Sequence, residues 1–159
     1  MAQAIPNGYH SLTPSFTFKD SQKAIDFYKK AFGAEVIDLM PKLDGKGVMH
    51  ASMKIGNSIF MLGDEMPASA ECAKSAESMG GSPISLFVYV NDVDTAFKKA
   101  VDAGGVSNMP VMEMFWGDRM GQIKDPFGYS WSIATHTKDL SKEEIRKGAA
   151  EFFAAAHKK

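Results

Sequence analysis

The stretch that decides the fold is DPFGYSWSIATH, residues 125–136. Its first four residues have the composition of a tight turn, and the remainder alternates as a β-strand does. Side chains on a strand point alternately to opposite faces. The two faces here are Trp131, Ile133 and Thr135 on one side, and Ser130, Ser132 and Ala134 on the other. The second face is unusually small, and we expect it to line a cavity.

Composition bounds the class of protein. The 159 residues are 45% hydrophobic and 23% charged, which is typical of one globular domain. Lys and Arg number 18 against 19 Asp and Glu, so no basic excess points to nucleic acid or an anionic membrane. The chain lacks an apolar run of about 20 residues and a signal-peptide pattern at its start, which favours a cytoplasmic protein. Cys72 is the single cysteine, so no internal disulfide is expected.

The order of predicted elements occurs twice. Each half reads as a strand, a helix and three more strands, with helices predicted over 21–32, capped by Ser21, and over 93–103. An offset of 72 residues relates Asp20 to Asp92 and Gly33 to Gly105. An internal repeat of this size indicates a duplicated unit. We therefore predict βαβββ units at about 13–63 and 85–136, joined by a linker at about 64–84.

The last segment has a separate pattern. Ser141 and Glu144 have the spacing of a capping box, and apolar residues follow at helical intervals. We predict one domain over residues 1–140 and an amphipathic helix over 141–159. That helix packs either on the domain or on a partner subunit.

Strand alternation divides the predicted sheets into two faces. One face is large and apolar and should lie under the helices: Phe16, Phe18, Phe60, Leu62, Leu86, Val88, Val90, Trp131 and Ile133. The opposite face mixes small hydroxyls with isolated large groups and carries almost no Lys or Glu. This face is therefore interpreted as the lining of a cavity. A loosely packed core at a sheet or dimer interface is the alternative.

These residues resemble a known family. The segments AIDFYKKAFGAEV, VNDVDTAFKKAVDAGG and DPFGYSWSIATH are similar to the vicinal oxygen chelate superfamily of glyoxalase I, bleomycin-resistance proteins and extradiol dioxygenases. HASMKIGNSIFMLGDEMP resembles its PhnB-like, glyoxalase-related subgroup. The resemblance covers about residues 13–140. It implies an α+β fold of two βαβββ units, with half-open curved mixed sheets around a cavity and helices on the outer face. It also implies a homodimer.

Members of this family that are enzymes hold a divalent metal through His and Glu on four strands. The resemblance maps those four positions to Thr13, Met61, Ser85 and Ser132. None of these is a good ligand for Zn²⁺, Ni²⁺ or Mn²⁺. The resemblance therefore implies a retained cavity without the family's metal, and we expect no cofactor. A divalent metal at a displaced site is the alternative.

His50 and Glu113 are the candidates for catalysis. Strand parity with Ser52 predicts that His50 faces the cavity, and His50 together with Glu113, near the sixth strand, could bind a metal or act as base and orienting group. The alternative for His50 is a hydrogen-bonded structural histidine. His10 would be a metal ligand only if the first strand were shifted in register.

The remaining cavity residues favour a small organic ligand. The predicted contacts are Thr13, Ser52, Met61, Ser85, Phe87, Tyr89, Trp116, Gln122, Ser130 and Ser132. The aromatic members and the methionines near Trp116 suit a flat, partly aromatic molecule. The sequence thus predicts a metal-independent small-molecule binding protein that forms a homodimer. The alternatives are a glyoxalase-like lyase or isomerase, and an interaction protein whose apolar face is only a dimer interface.

Overall fold

The computed structural model describes residues 2–66 and 72–156. The elements are β1 (Ser15–Phe18), α1 (Ser21–Phe32), β2 (Glu35–Pro41), β3 (Val48–Ile55), β4 (Ser58–Asp64), α2 (Ala76–Met79), β5 (Ser85–Tyr89), α3 (Val93–Asp102), β6 (Val106–Glu113), β7 (Asp118–Lys124), β8 (Ser130–His136) and α4 (Lys142–Ala156). Parts of the predicted linker (67–71) and of the last predicted helix (157–159) lie outside the described residues. The described part of the linker contains α2, which the sequence did not predict.

The strands form two sheets of the same design. Sheet A has the order β1-β4-β3-β2, and sheet B has the order β5-β8-β7-β6. In each sheet the first strand pairs parallel with the last strand of its unit, and the other pairs are antiparallel. The α+β class and the duplicated strand–helix–three-strand order are therefore confirmed. β1 and β5 are left as edge strands of their sheets.

The two long helices begin at equivalent aspartates. Asp20 accepts a hydrogen bond from the Lys23 amide at 3.2 Å, and Asp92 accepts one from the Thr95 amide at 3.1 Å. The prediction of Ser21 as the cap of α1 was wrong, because Asp20 has the extended backbone and the reaching carboxylate that a cap requires. α1 ends at Gly33, whose left-handed backbone (φ 64°) suits glycine.

One core joins the two units. Each helix covers one face of its own sheet, and α1 and α3 also pack against each other. The predicted apolar face is confirmed: Phe16, Phe18, Phe60, Leu62, Trp131 and Ile133 are buried, and Leu86, Val88 and Val90 pack half-buried against them. The faces of sheets A and B turned away from α1 and α3 are called open face A and open face B below.

Asp125 explains why the opening stretch decides the fold. The carboxylate is 3% exposed and accepts the amides of Phe127 and Tyr129 at 3.0 and 2.9 Å, which fixes the turn before β8. Its other oxygen accepts the Tyr28 hydroxyl at 2.8 Å and the Trp131 indole at 3.0 Å. Because Tyr28 belongs to α1, one side chain closes a turn of the second unit and ties it to the first.

α4 packs on its own domain. Its capping box forms as predicted, since Ser141 Oγ accepts from the Glu144 amide at 3.2 Å and Glu144 accepts from the Ser141 amide at 2.8 Å. The ring of Phe152 lies 5.6 Å from that of Phe115 in the β6–β7 turn. Across residues 2–66 and 72–156, no helix has the length and apolar character needed to cross a membrane.

Candidate functional site: an apolar cleft and two open sheet faces

A cleft of about 820 Å³ lies between the two units. One wall comes from the approach to β1 and from the β3–β4 turn, and the other comes from β5. Phe16, Phe32, Phe60 and Trp131 supply apolar lining. The volume falls in the range of pockets that hold drug-sized molecules, about 300–1,000 Å³.

An exposed aromatic pair borders this cleft. Phe87 and Tyr89 on β5 are 49% and 62% exposed, and their ring centroids lie 5.0 Å apart. Polar groups at the opposite rim come from His10, Asn57 and Ser58. An aromatic pair facing a few polar groups can stack on a flat molecule and orient it.

Only part of the predicted ligand set borders the cleft. Phe87 and Tyr89 do so, and the remaining predicted contacts are not among the residues that line it. Leu86 and Val88, which the sequence assigned to the core alone, also line the cleft. The reason is that β5 is an edge strand, so side chains on both of its faces reach the gap beside it.

Open face A is covered by the N-terminal segment of the chain. The Tyr9 hydroxyl lies 2.8 Å from Ser52 Oγ, and a side chain at Gly8 would come within 3.2 Å of Ile59. His50 Nε2 lies 3.2 Å from the same Ser52 oxygen. Ser52 is buried, and His50 is thus part of a hydrogen-bonded group under the segment. The sequence did not predict Tyr9, because nothing in residues 2–13 has the period of a strand or helix.

The predicted catalytic pair is not brought together. Glu113 lies at the end of β6 and accepts a hydrogen bond from Arg119 at 3.3 Å. Arg119 also donates to both oxygens of Asp94 on α3, at 2.9 and 2.8 Å. Glu113 is therefore on the helix side of sheet B, whereas His50 is on open face A. Arg119 does not pair with the adjacent Asp118, because neighbouring strand residues point to opposite faces.

The four positions that the sequence analysis matched to the family's metal ligands carry no histidine or carboxylate. Thr13 Oγ1 donates to the His10 carbonyl at 3.0 Å, and Ser132 Oγ accepts from Gln122 at 3.3 Å. The other two positions are Met61 and the exposed Ser85. Hydroxyl and thioether groups are poor ligands for the transition metals of this family. Within the described parts of the chain, no three His, Cys, Asp or Glu residues are grouped as a metal site requires.

Open face B has a floor of small side chains. Ser132 lies between Phe87 on β5 and Gln122 on β7, and Ala134 lies between Tyr89 and Met120 in the next row. Ser130, half-buried, lies opposite Ser85 in the row before. The small face is therefore present, but Ser132 is 7% and Ala134 0% exposed, and Ser130, Ser132 and Ala134 do not line the cleft as the sequence predicted.

A buried carboxylate stands at the end of this floor. Asp118 is 2% exposed and accepts from the Trp116 indole at 2.8 Å and the Tyr89 hydroxyl at 3.1 Å, both through Oδ2. Its Oδ1 lies 2.7 Å from His136 Nδ1. The other ring nitrogen of His136 lies 3.1 Å from the exposed Asp139. The sequence assigned Trp116 to ligand contact, and it missed the joint role of Asp118 and His136, which lie opposite each other in the β7–β8 register.

The hydrogen bonds of this cluster shift its protonation. The bond to Asp118, followed by the bond to Asp139, raises the pKa of His136 above its usual value. Burial opposes ionisation of Asp118, but the bonds from His136, Trp116 and Tyr89 outweigh it and lower the pKa of that carboxyl. Burial and the bond to Asp118 raise the pKa of Tyr89. These shifts favour an ionised Asp118 and a protonated His136 over a wider pH range than either group would show alone.

Gly117 fixes the turn that carries this cluster. Its carbonyl accepts the amides of Thr137 and Lys138 at 2.9 and 3.0 Å and the Thr137 hydroxyl at 2.9 Å. The residue has φ 100°, and an added Cβ would meet the Lys138 carbonyl oxygen. Only glycine suits this position, and the turn before β7 is thereby held to the segment after β8.

Two repeated βαβββ units around a shared core define the class of paired βαβββ proteins. The model of the Glyoxalase/Bleomycin resistance protein/Dioxygenase superfamily matches residues 12–133. The chain therefore belongs to this family.

Similar proteins agree with that assignment. An uncharacterized protein of Mycobacterium tuberculosis (strain ATCC 25618 / H37Rv) is 35% identical over 137 residues, which cover 86% of this chain and 80% of the relative. The crystal structure of TioX from Micromonospora sp. ML1 is 24% identical with a TM-score of 0.63, covering 80% of this chain and 98% of that one. A PhnB protein from Bacillus cereus is 20% identical with a TM-score of 0.61, covering 79% and 99%. The likeness to these two structures concerns the fold.

Proposed function

We propose that this protein binds a flat, partly aromatic small molecule in the cleft between its two units, without a metal. The observation that carries the proposal is the exposed Phe87–Tyr89 pair on the edge strand of an 820 Å³ apolar cleft. Exposed aromatic side chains that border a concave apolar surface are a common feature of ligand sites. The polar groups of His10, Asn57 and Ser58 would orient the ligand at the opposite rim.

The donor chemistry supports metal independence. The positions that would hold the family's metal carry two serines, a threonine and a methionine, and two of their hydroxyls already have protein partners. No step of the proposed binding is therefore assigned to a metal. The lyase or isomerase alternative loses its predicted acid–base pair, since Glu113 is engaged by Arg119 on the helix side.

The direct experiment is fluorescence titration with 8-anilinonaphthalene-1-sulfonate, using protein purified without added metal and treated with EDTA. We expect saturable binding that Zn²⁺, Ni²⁺ and Mn²⁺ do not strengthen. Covering the exposed half of Phe87 should contribute about 1–2 kcal/mol, so Phe87→Ala should weaken binding roughly five- to thirtyfold. Leu43→Ala is the matched control, because Leu43 is 99% exposed and does not line the cleft.

Two results would overturn this proposal. One is an elemental analysis that finds a stoichiometric, tightly held divalent metal in the purified protein. The other is a Phe87→Ala variant that binds the dye as the wild type does, since the aromatic pair would then be irrelevant to the ligand.

We further propose that the chain forms a homodimer through the edges left by β1 and β5. Edge strands present unpaired backbone groups that a second strand can use. Large apolar side chains beside these edges are exposed, with Leu12 at 86% and Ile84 at 66%. A second copy would cover them and close the open side of the cleft. Sedimentation equilibrium should show a dimer for the wild type and a monomer for Ile84→Lys, and a monomeric wild type would refute the dimer.

A further inference from the structure

We propose that residues 2–13 form a strap that closes part of one wall of the cleft, that the contact between Tyr9 and Ser52 is its latch, and that the closed latch and a ligand in the cleft stabilise each other. This coupling rests on the proposed function and adds to it a regulation of ligand binding from outside the cleft. Tyr9 is not among the residues that line the cleft, whereas His10 and Leu12, which follow it closely, are.

The latch is a contact with a buried polar group. Ser52 is 2% exposed, and its Oγ lies 2.8 Å from the Tyr9 hydroxyl and 3.2 Å from His50 Nε2. A serine hydroxyl has one proton to donate and two lone pairs, so Ser52 can bond to both partners at once. The latch therefore joins the strap to a polar anchor in open face A.

A tight turn directs Tyr9 at this anchor. The Tyr9 amide donates to the Pro6 carbonyl at 3.1 Å and closes a β-turn. Gly8, the third residue of the turn, has φ 84°, which suits glycine at that position. A Cβ at Gly8 would come within 3.2 Å of Ile59 on β4, so the turn lies directly against open face A. The position of the Tyr9 hydroxyl at Ser52 is thus set by local structure.

A second anchor fixes the other end of the strap. The Pro14 carbonyl accepts the Met61 amide at 2.8 Å, where the chain joins sheet A. His10 and Leu12, which lie between Tyr9 and Pro14, belong to the lining of the cleft. This part of the cleft wall is therefore a short span held at both ends, and one of the two holds is the latch.

The strap has the features of a segment that opens locally. Residues 2–13 contain no helix or strand, and most of their side chains are exposed. Among their apolar side chains, Leu12 is 86% and Ile5 49% exposed. Segments with few buried apolar contacts open at a cost well below that of global unfolding. Opening of the latch would release residues 10–12 from the cleft wall while Pro14 remains bonded to the sheet.

A ligand in the cleft would distinguish the closed strap from the open one. A flat molecule stacked on Phe87 and Tyr89 can cover Leu12 and reach His10 only while the latch is closed, because those two side chains then belong to the lining. The closed state therefore binds the ligand more tightly than the open state. By thermodynamic linkage, the ligand must favour the closed latch by the same factor.

The test is titration of two latch variants with 8-anilinonaphthalene-1-sulfonate. Tyr9→Phe removes the hydroxyl and keeps the ring, whereas Gly8→Ala keeps the hydroxyl and strains the turn that positions it. Loss of a hydrogen bond between neutral groups changes an equilibrium about two- to twelvefold. Affinity falls with the fraction of molecules that remain closed, so each variant should weaken dye binding about two- to fivefold.

Each variant has a matched control. Tyr129→Phe also removes a hydroxyl with a neutral acceptor, the Thr17 carbonyl at 3.0 Å, and it leaves the strap intact. Gly45→Ala also places alanine at a positive φ, here 70°, in a turn where its Cβ would meet nothing within 4 Å. Both controls should bind the dye as the wild type does.

The reciprocal effect is measured at the strap itself. The Tyr9 amide is bonded to the Pro6 carbonyl, so its hydrogen exchange reports opening of the turn. Saturating dye should slow this exchange in the wild type about two- to fivefold. In a Ser52→Ala background, Tyr9→Phe should weaken dye binding no further, since the two substitutions remove the same contact.

Unchanged dye affinity in both Tyr9→Phe and Gly8→Ala would overturn the latch, and so would a Tyr9 amide whose exchange the dye does not slow. An equal loss of affinity in Tyr129→Phe and Gly45→Ala would also overturn it, because the effect would then be one of general stability. In each of these cases the dye would still depend on Phe87, and the proposed function would stand. Dye binding that is indifferent to Phe87→Ala would instead refute the proposed function, and the coupling with it.

Discussion

The bond between Tyr28 and Asp125 should be a major contribution to stability, and Tyr28→Phe tests it. Tyr28 is fully buried, and its hydroxyl donates to a carboxylate that is itself 3% exposed. The variant removes one oxygen and leaves the ring, so the packing of Tyr28 against Trp131 is retained. The bond joins α1 to the turn before β8, and its loss should weaken the union of the two units.

The magnitude follows from the chemistry of the partners. A hydrogen bond to a charged group contributes about 1.5–3 kcal/mol. Asp125 keeps its bonds from Trp131 and from two backbone amides, so the loss should lie near the middle, about 2 kcal/mol. For a chain of this size 1 kcal/mol corresponds to about 2–4 °C. Tyr28→Phe should therefore lower Tm by about 4–8 °C.

The assay is thermal unfolding followed by circular dichroism, with urea unfolding as a second measurement. Tyr129→Phe is the matched control, because its hydroxyl donates at 3.0 Å to the neutral Thr17 carbonyl. That bond should contribute about 1 kcal/mol. A Tm for Tyr28→Phe within about 1 °C of the wild type, or a larger loss for Tyr129→Phe, would refute the account of Asp125 as the tie between the units.

The pH dependence of this difference has a definite sign. Burial raises the pKa of Asp125, and the bonds from Tyr28 and the turn only partly offset it. A raised folded pKa means that Asp125 favours folding most when protonated and that this contribution is lost as pH rises through the folded pKa. The hydrogen bond from Tyr28 has the opposite pH dependence, because it is strongest when Asp125 is ionised. The destabilisation by Tyr28→Phe should thus be full above the raised pKa and shrink as pH falls below it.

The other predictions concern the turns and the open faces. Gly117→Ala should lower the free energy of unfolding by at least about 2 kcal/mol in urea, because the residue has a positive φ and its Cβ would meet a carbonyl oxygen; an unchanged midpoint would contradict the close approach. Asp118→Asn should lower the pKa of His136 towards its ordinary value in an NMR titration. The stability that the wild type gains from this pair should be present below the unfolded pKa of His136 and be lost as pH rises through the raised folded pKa. A His136 titration that does not change in the variant would disprove the pairing. Tyr9→Phe should cost about 0.5–1.5 kcal/mol and increase amide exchange in residues 2–13, since it removes the bond to Ser52; unchanged exchange would mean that Tyr9 does not hold the segment.

Local sequence patterns were sufficient for most of the fold. Strand alternation at Phe16, Phe18, Trp131 and Ile133 identified the face under the helices, because burial on one side forces a period of two. The repeat was visible in the sequence because each unit must bury an equivalent helix against an equivalent sheet. Ser21 was misassigned as a helix cap, since Asp20 and Ser21 are both good caps and only the backbone conformation distinguishes them.

The site was less predictable, because it depends on which strands are edges and which side chains meet across the chain. Phe87 and Tyr89 were identified by parity, but the cleft beside them arises from the packing of two units. Asp118 and His136 are 18 residues apart, and their contact follows from the β7–β8 register, which a turn pattern alone does not fix. Glu113 was predicted to act with His50, and the structure places it on the helix side with Arg119.

The most direct test of the proposed function is a two-dimensional amide NMR titration of EDTA-treated protein with 8-anilinonaphthalene-1-sulfonate. If the cleft binds flat aromatic molecules without a metal, the largest shifts will fall on β5, at Phe87 and Tyr89, and on the β3–β4 turn around Asn57. Adding Zn²⁺ will not change them. Shifts confined to other surfaces, or binding that begins only after Zn²⁺ is added, would contradict the proposed function.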